Sequence, residues 1–308
     1  VIHLQRPDDF LKDYDESKHP RDERGRWASG GSGGASSPDI SPGSRTLPSV
    51  MREASGHPNK VDIERLGDET TSVGTVYKAT FKDGSKAVYK PEKGNGYTTT
   101  GLDEQDNEVQ VKLRRDMDTS VPQYKKELAT MEIDRELGFN RVPHVEVVDY
   151  GHGLGHAQAF IEGEVAANVD YNTVSNDVLT GASMQQVAAL DMITGNTDRH
   201  FGNFMLGRDD DQWYAIDNGL TFPDKNGQFN SVPVRTLGKG GVSIHESVKA
   251  SLAKFTPEKL DVIMSRNGIG KAAREQAKAR LNILKTKSTW TGVAHEMIAY
   301  NPSNGIEF

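Results

Sequence analysis

From about residue 60 the chain alternates apolar and polar positions with regular periods, and before that it does not. "GTVYKATFKDGSKAVYKP" (74–91) has period two on either side of Asp83-Gly84, which predicts a β-hairpin. Val76, Ala79 and Phe81 on one arm oppose Ala87, Val88 and Tyr89 on the other, with the register left open. In "PQYKKELATMEIDRELGF" (122–139), Tyr124, Leu128, Met131 and Leu137 recur at helical spacing, and Gly138 suits the C-terminal cap. "VPHVEVVDYG" and "HAQAFIEG" read as two further strands, while residues 91–121, Gly/Thr-rich and then acidic, read as an irregular insertion. These elements make a strand-rich lobe with one helix over residues 59–163.

Residues 164–308 read as a second, mostly helical lobe. A helix is expected from Ser183, with Ser183 and Gln186 as a capping pair, Val187, Leu190 and Ile193 on one face, and Gly195 as the stop. Phe204–Leu206 and Trp213–Ile216 are short strands joined by "GRDDDQ", whose Asp209, Asp210 and Asp211 read as a solvated tip. Three helical stretches follow: "TPEKLDVIMSRNG" with a Thr cap and Pro at its first position, "KAAREQAKARLNILKTK", and "TWTGVAHEMIAY". The class is α+β in two lobes, with no internal repeat.

Residues 1–58 are different. "DESKHPRDERGRWASGGSGGASSPDISPGSRTLPS" is charge-dense and then rich in Gly, Ser and Pro, too poor in apolar residues to offset chain entropy. It is expected to be a disordered tether. Its "KHPRDERGRW" resembles a short segment of tailed-phage head-associated proteins. That resemblance implies fusion to, or association with, a phage head protein.

Composition narrows the chemistry. The 308 residues carry a net charge of −7, so no overall basic field favours nucleic acid. There is no cysteine, which excludes disulfides, thiolate catalysis, cysteine-bound zinc and palmitoylation. The apolar runs fall far short of the roughly 20 residues of a membrane span, and no signal peptide is expected from the opening residues. A soluble protein is expected, cytoplasmic or, if phage-encoded, virion-associated.

The densest chemistry lies in "GNTDRHFGNFMLGRDDDQWYAIDNGLTFP" (195–223). Folding the two strands about a centre near residue 210 sets Asn203 roughly opposite Asp217, and Asp198 in the preceding loop can face the same spot. An amide and a carboxylate, oxygen donors only, suit Mg²⁺ or Mn²⁺ holding a polyphosphate, and a separate aspartate suits orienting a hydroxyl. The spacing D-x-x-x-x-N, then strand, turn, strand and Asp, is that of kinase catalytic loops. The bland alternative is a turn whose Asn and Asp side chains bond their own backbone. A kinase site further needs a strand lysine and a helix carboxylate, and Lys90 and Glu127 stand where these belong. Ser72-Val73-Gly74 could form a turn over the phosphates. Phe160-Ile161-Glu162 joins the lobes, where its backbone could read an adenine.

"NTDRHFGNFML" and "AIDNGLTFP" resemble the catalytic and metal-binding segments of phosphatidylinositol 3-/4-kinase-like enzymes. The type II phosphatidylinositol 4-kinases and their bacterial and phage relatives are nearest, and HipA-like kinases share a looser version. "AVYKPEKGNGY", "KKELATMEIDRELGFNRVP" and "GHAQAFIEG" follow the same family in the same order, so the resemblance spans about residues 65–225. It implies a bilobal kinase fold using ATP and Mg²⁺. Residue by residue, it makes Lys90 the ATP lysine, Glu127 its partner, and Asp198 the catalytic acid/base. Asn203 and Asp217 become metal ligands, and Arg199 and His200 catalytic-loop residues, His200 either structural or touching the transferred phosphate. Type II lipid kinases attach to membranes through a palmitoylated cysteine-rich segment that this chain lacks, and after Asp217 only Lys225, Arg235 and Lys239 are basic up to residue 241. The acceptor hydroxyl therefore stays open between a protein, a small molecule and an inositol lipid. Two other readings stay open as well: a nucleotide-binding pseudokinase serving as an interaction module, and an AMP-transferring enzyme on the same fold.

Three further motifs carry less. "GHGLGH" (151–156) reads as a strand turn, "NGIGKAA" as a helix–helix turn, and "DKNGQ" lacks the acidic spacing of a calcium loop.

Overall fold

A computed structural model describes residues 46–66, 75–92, 98–102, 108–112, 120–224 and 229–300. Its architecture is α+β, an antiparallel sheet lobe followed by a helical lobe. The first lobe is built on a five-stranded sheet in the order β1-β2-β3-β7-β6. The strands are β1 (Val61–Leu66), β2 (Val76–Phe81), β3 (Lys86–Pro91), β6 (Val145–Val148) and β7 (Gly155–Ala159). Gly84, at φ 84°, turns β2 into β3, and the pairing Ala79↔Ala87 and Tyr77↔Tyr89 settles the register. Because side chains alternate between faces, Tyr77, Ala79, Phe81, Ala87 and Tyr89 pack on one side with Val148, Ala157 and Ala159. Val88 and Lys90 emerge on the other, beside Gln158 and His156 of β7. A Cβ on Gly155 would lie 2.1 Å from the Lys90 carbonyl, so only glycine lets β7 approach β3 there. "GHGLGH" is the β6–β7 turn, with Gly151 and Gly153 at positive φ and His152 stacked 4.3 Å from the Tyr77 ring.

Two expectations need correction. Thr46–Ala54, assigned above to the tether, forms helix α1. Its Leu47, Met51 and Ala54 are buried against the apolar face of the sheet, and the Tyr150 hydroxyl donates to the Met51 carbonyl. Three apolar residues at i, i+4 and i+7 were enough, although Gly/Ser/Pro-rich sequence precedes them. The insertion at 91–121 is not wholly irregular: β4 (Thr98–Leu102) and β5 (Glu108–Lys112) pair antiparallel, in keeping with the β-branched threonines of TTT and valines of VQV.

Helix α2 (Gln123–Glu136) is buried on several sides. Met131, Ile133 and Leu137 join the core of the helical lobe, while the Val145 N–H of β6 meets the Met131 sulfur. The helix ends at Gly138 (φ 70°), as expected.

The second lobe begins with β8 (Gly163–Val165), which pairs with β9 (Phe204–Gly207), itself paired with β10 (Trp213–Ala215). Around them pack α3 (Asn176–Thr180), α4 (Ala182–Thr194), α5 (Val232–Lys239), α6 (Glu246–Lys254), α7 (Pro257–Arg266), α8 (Lys271–Thr286) and α9 (Trp290–Tyr300). Helix α4 is the axis, with every residue from Val187 to Thr194 buried. Its N-cap is Gly181, not Ser183; Ser183 lies inside the helix and is buried. Gly195 (φ 64°) ends α4, and Arg280 of α8 donates to the carbonyls of Met192 and Ile193 there. Thr256 caps α7 as its sequence suggested, and "NGIGKAA" is the α7–α8 turn. Among the described residues no helix is long and apolar enough to cross a membrane.

Since Met51 is fully buried, Met51→Ala should destabilise the protein by about 2–5 kcal/mol, measured by urea unfolding. An unchanged midpoint would mean that α1 does not dock on the sheet.

Candidate active site

The loop after Gly195 is shaped by short polar bonds. Asn196 Oδ1 accepts from the Asp198 N–H at 2.8 Å, a local Asx turn. Segments distant in sequence then hold the loop on both sides: Thr197 N–H donates to the Leu220 carbonyl, and Arg199 N–H to the Asn230 carbonyl. Asn203 Nδ2 donates to the Asp198 carbonyl at 2.8 Å and faces its carboxylate at 3.5 Å. The amide nitrogen is thereby committed, which turns Oδ1 the other way. His200 Nδ1 accepts from the Gly202 N–H at 3.0 Å, so its proton sits on Nε2, 3.9 Å from Asp198 Oδ2.

The hairpin is shifted by one residue from the expected register. Trp213↔Leu206 and Ala215↔Phe204 place Ile216, not Asp217, opposite Asn203, and the Ile216 N–H donates to the Asn203 carbonyl. Asp217 follows with φ 53°, outside the strand conformation. That reversal presents its carboxylate to the first lobe, where Lys90 Nζ meets Oδ2 at 2.8 Å. Both side chains keep partial exposure at the cleft, yet their withdrawal from bulk water still works against both charges. The Asp217 and Glu127 carboxylates nevertheless hold the Lys90 ammonium above its ordinary range, and Lys90 holds Asp217 below its own.

Glu127 is less directly paired with Lys90 than expected. Its carboxylate accepts from the backbone N–H of Asn218 and, at 3.0 Å, from Asn218 Nδ2. Burial, and then the Asp217 charge, push it up to about 7. Asn218 had no role in the sequence reading. Its identity beside Asp217 was the available signal, because an amide can donate to a helix carboxylate and accept from a guanidinium at once.

That guanidinium is Arg199, and its expected place among the catalytic groups is corrected. The residue is wholly buried. Nε donates to Asp191 at 3.1 Å, Nη1 bonds the carbonyls of Asn203 and Ile216, and Nη2 bonds Asn218 Oδ1. Arg199 is a positioning residue. Asp191, also missed from sequence because it sits in a helix that reads as pure core, accepts in addition from Ser231 Oγ at 2.8 Å. Thus Asp198, His200, Asn203, Asp217, Lys90 and Glu127 converge, and Arg199 lies behind them.

Of the linker, Phe160 N–H bonds the Lys86 carbonyl and the Glu162 carbonyl accepts from Arg208 N–H. The Glu162 side chain is exposed and pairs with Lys86 at 3.2 Å, so its carboxylate is engaged by the protein itself. Ile161 makes no backbone hydrogen bond among the described residues. Ser72, Val73 and Gly74 lie outside the described residues.

The donor set suits a hard divalent cation shared with phosphates. Asn203 Oδ1 and an ionised Asp217 are oxygen donors, and among the described residues no group of three or more His, Asp or Glu gathers into an all-protein cage.

Two lobes joined by a short linker, with a lysine from the sheet meeting an aspartate beyond a D-x-x-x-x-N loop, define a protein-kinase-like fold. Residues 155–240, which hold the linker, loop and hairpin, match the family model of phosphatidylinositol 3- and 4-kinases, so this part of the chain is phosphatidylinositol 3-/4-kinase-like. No curated protein matches the chain significantly. Among solved structures, the Golgi casein kinase with Mn/ADP bound is similar at 17% identity and TM-score 0.43, over 85% of this chain and 78% of that one. The Helicobacter pylori proinflammatory kinase CtkA is similar at 11% identity and TM-score 0.40, over 78% and 96%. The Chaetomium thermophilum Rio2 kinase–ADP/Mg²⁺–phosphoaspartate complex is similar at 13% identity and TM-score 0.37, over 72% and 70%.

Two outcomes follow from this geometry. Arg199→Met leaves Asp191 charged and buried without its partner, and should cost about 3–5 kcal/mol in denaturant unfolding. His156 is buried beside Lys90, and burial followed by the Lys90 charge lowers its pKa from 6.5 to about 3. Below pH 6.5 the unfolded chain takes up a proton that the folded one refuses. The stability is complete above that pH and is lost as pH falls towards the folded value, by about 2 kcal/mol near pH 5. His156→Asn should remove that part of the slope when unfolding is measured across the window.

Proposed function

We propose that the chain is an ATP- and Mg²⁺-dependent kinase that transfers the γ-phosphate to a hydroxyl acceptor. The observation that carries the reading is the 2.8 Å contact across the cleft between Lys90 and Asp217, the residue after Ile216, which pairs with Asn203 beside Asp198. Lys90 holds the phosphate chain through its charge, and its ammonium exchanges Asp217 for phosphate oxygens. Asn203 Oδ1 and the Asp217 carboxylate are the groups that would hold the divalent cation. That cation, when bound, neutralises charge on the phosphate oxygens. Asp198 accepts the proton of the attacking hydroxyl. Its orientation comes from the Asx turn with Asn196 and from Asn203 Nδ2 at Oδ2, and His200 Nε2 lies 3.9 Å from the same oxygen. The adenine rests against Val88 and the linker, with the Ile161 backbone facing its edge. The acceptor carries a hydroxyl, on a protein, a small molecule or an inositol headgroup. Few basic residues follow Asp217, which favours a soluble acceptor.

Division of labour makes the reading testable. Asp198→Ala should leave ATP affinity nearly unchanged and lower labelled-phosphate transfer by about 10²-fold or more. Lys90→Met and Asp217→Ala should weaken nucleotide binding too, since both act before the chemical step. Incubation with γ-labelled ATP and Mg²⁺, with a cell lysate as the acceptor source, reads transfer; calorimetry reads affinity. Transfer from α-labelled ATP instead would identify AMP transfer. Binding without transfer to any acceptor, unaltered by Asp198→Ala, would leave an interaction module.

A further inference from the structure

Gln158 carries an amide that the protein leaves unsatisfied. The residue is 7% exposed, and its Nε2 is buried with no hydrogen-bond partner among the described residues. Its strand neighbours are Val88 on β3 and Val145 on β6, and neither side chain can accept a hydrogen bond. A buried donor without a partner is costly, so such groups persist where a ligand or a bound water meets them.

Its position shows which ligand. The alternation of β7 puts Gln158 on the same face as His156, and β3 puts Val88 on the same face as Lys90. Gln158 and Val88 therefore stand one pleat repeat, about 6.5 Å, along the strands from the phosphate-binding lysine. They lie on the linker side of it, two residues before Phe160. On the kinase reading above, on which this inference rests, that is the rear of the base pocket. The linker backbone covers one edge of the base, and Gln158 faces its 6-position.

We propose that Gln158 reads the 6-substituent of the bound purine. A carboxamide presents an acceptor and a donor at almost equal reach, and rotation about its last bond exchanges them. The 6-amino group of adenine donates to Oε1, and the 6-carbonyl of guanine or hypoxanthine accepts from Nε2. The site thus takes guanine and hypoxanthine nucleotides alongside ATP, and discriminates against a purine bare at C6.

The test compares ATP, inosine triphosphate, purine riboside triphosphate (hydrogen at C6) and inorganic tripolyphosphate by calorimetry in Mg²⁺. The parent protein should bind the first two within about tenfold of each other and the third about tenfold more weakly, the scale of one hydrogen bond. In Gln158→Leu the preference for a 6-substituent should vanish while tripolyphosphate affinity stays unchanged. The variant should melt no lower than the parent, because an unpaired donor has been removed; Gln158→Met serves as a second apolar replacement. If the preference survives in both variants, or the parent binds all three nucleosides alike, Gln158 does not read the base. If no nucleoside triphosphate binds the parent at all, the kinase reading itself fails, a result distinct from binding without preference.

Discussion

A single buried cation, the Arg199 guanidinium, organises the helical lobe and its junction with α2. Its partners come from five places in the chain: Asp191 on α4, the carbonyl just before β9, the carbonyl just after β10, the Asn218 amide, and through Asp191 the Ser231 cap of α5. A guanidinium and a carboxylate withdrawn from water lose several kcal/mol of hydration each, and the mutual attraction recovers this only when the remaining hydrogen-bond sites are also filled. Here four of the five N–H groups are engaged by those partners. Displacing any one element would strand a charge or a carbonyl, so the five keep a common geometry.

The side chains that converge on the candidate site lie beside residues so anchored. Asp198 precedes Arg199. Asn203 gives its carbonyl to the guanidinium and its side chain to the site. Asp217 stands between Ile216, held through its carbonyl, and Asn218, held through its side chain. The positive φ at Asp217 is confined between two pinned neighbours, and its cost of about 1–3 kcal/mol is borne by the network. The structure thereby fixes the carboxylate before any ligand arrives, as a preorganised site requires.

Much of this was legible in the sequence. The D-x-x-x-x-N spacing, the downstream Asp217 and the strand lysine Lys90 are local signatures, and each comes to the site. What escaped was set by tertiary structure. The one-residue slip at Asn203 follows from the bonds of Ile216 and the left-handed turn at Asp217, whereas strand spacing alone was compatible with either register. Asp191 and Arg199 looked like core-helix and loop charges because their pairing spans a turn between two elements. Leu47, Met51 and Ala54 were hidden for another reason: a three-residue apolar stripe is too short to stand out beside a Gly/Ser tract, and its worth lies in the sheet it covers.

The lobes are joined chiefly by α2, not by the ion pair across the cleft. Lys90 and Asp217 are both partly exposed, and such a pair contributes only about 0–1 kcal/mol. Helix α2 contributes far more: Met131, Ile133 and Leu137 are buried in the core of the helical lobe, and Glu127 receives two hydrogen bonds from Asn218 away from solvent. Charge pairs from Glu132 to Arg266 and from Glu136 to Lys259 lie along the rim of the same contact and add little. The strong contact is thus permanent and the weak one sits in the cleft. On the proposed kinase reading, Lys90 would release Asp217 for a phosphate oxygen at small cost, the helix carrying Glu127 being held by its own contacts.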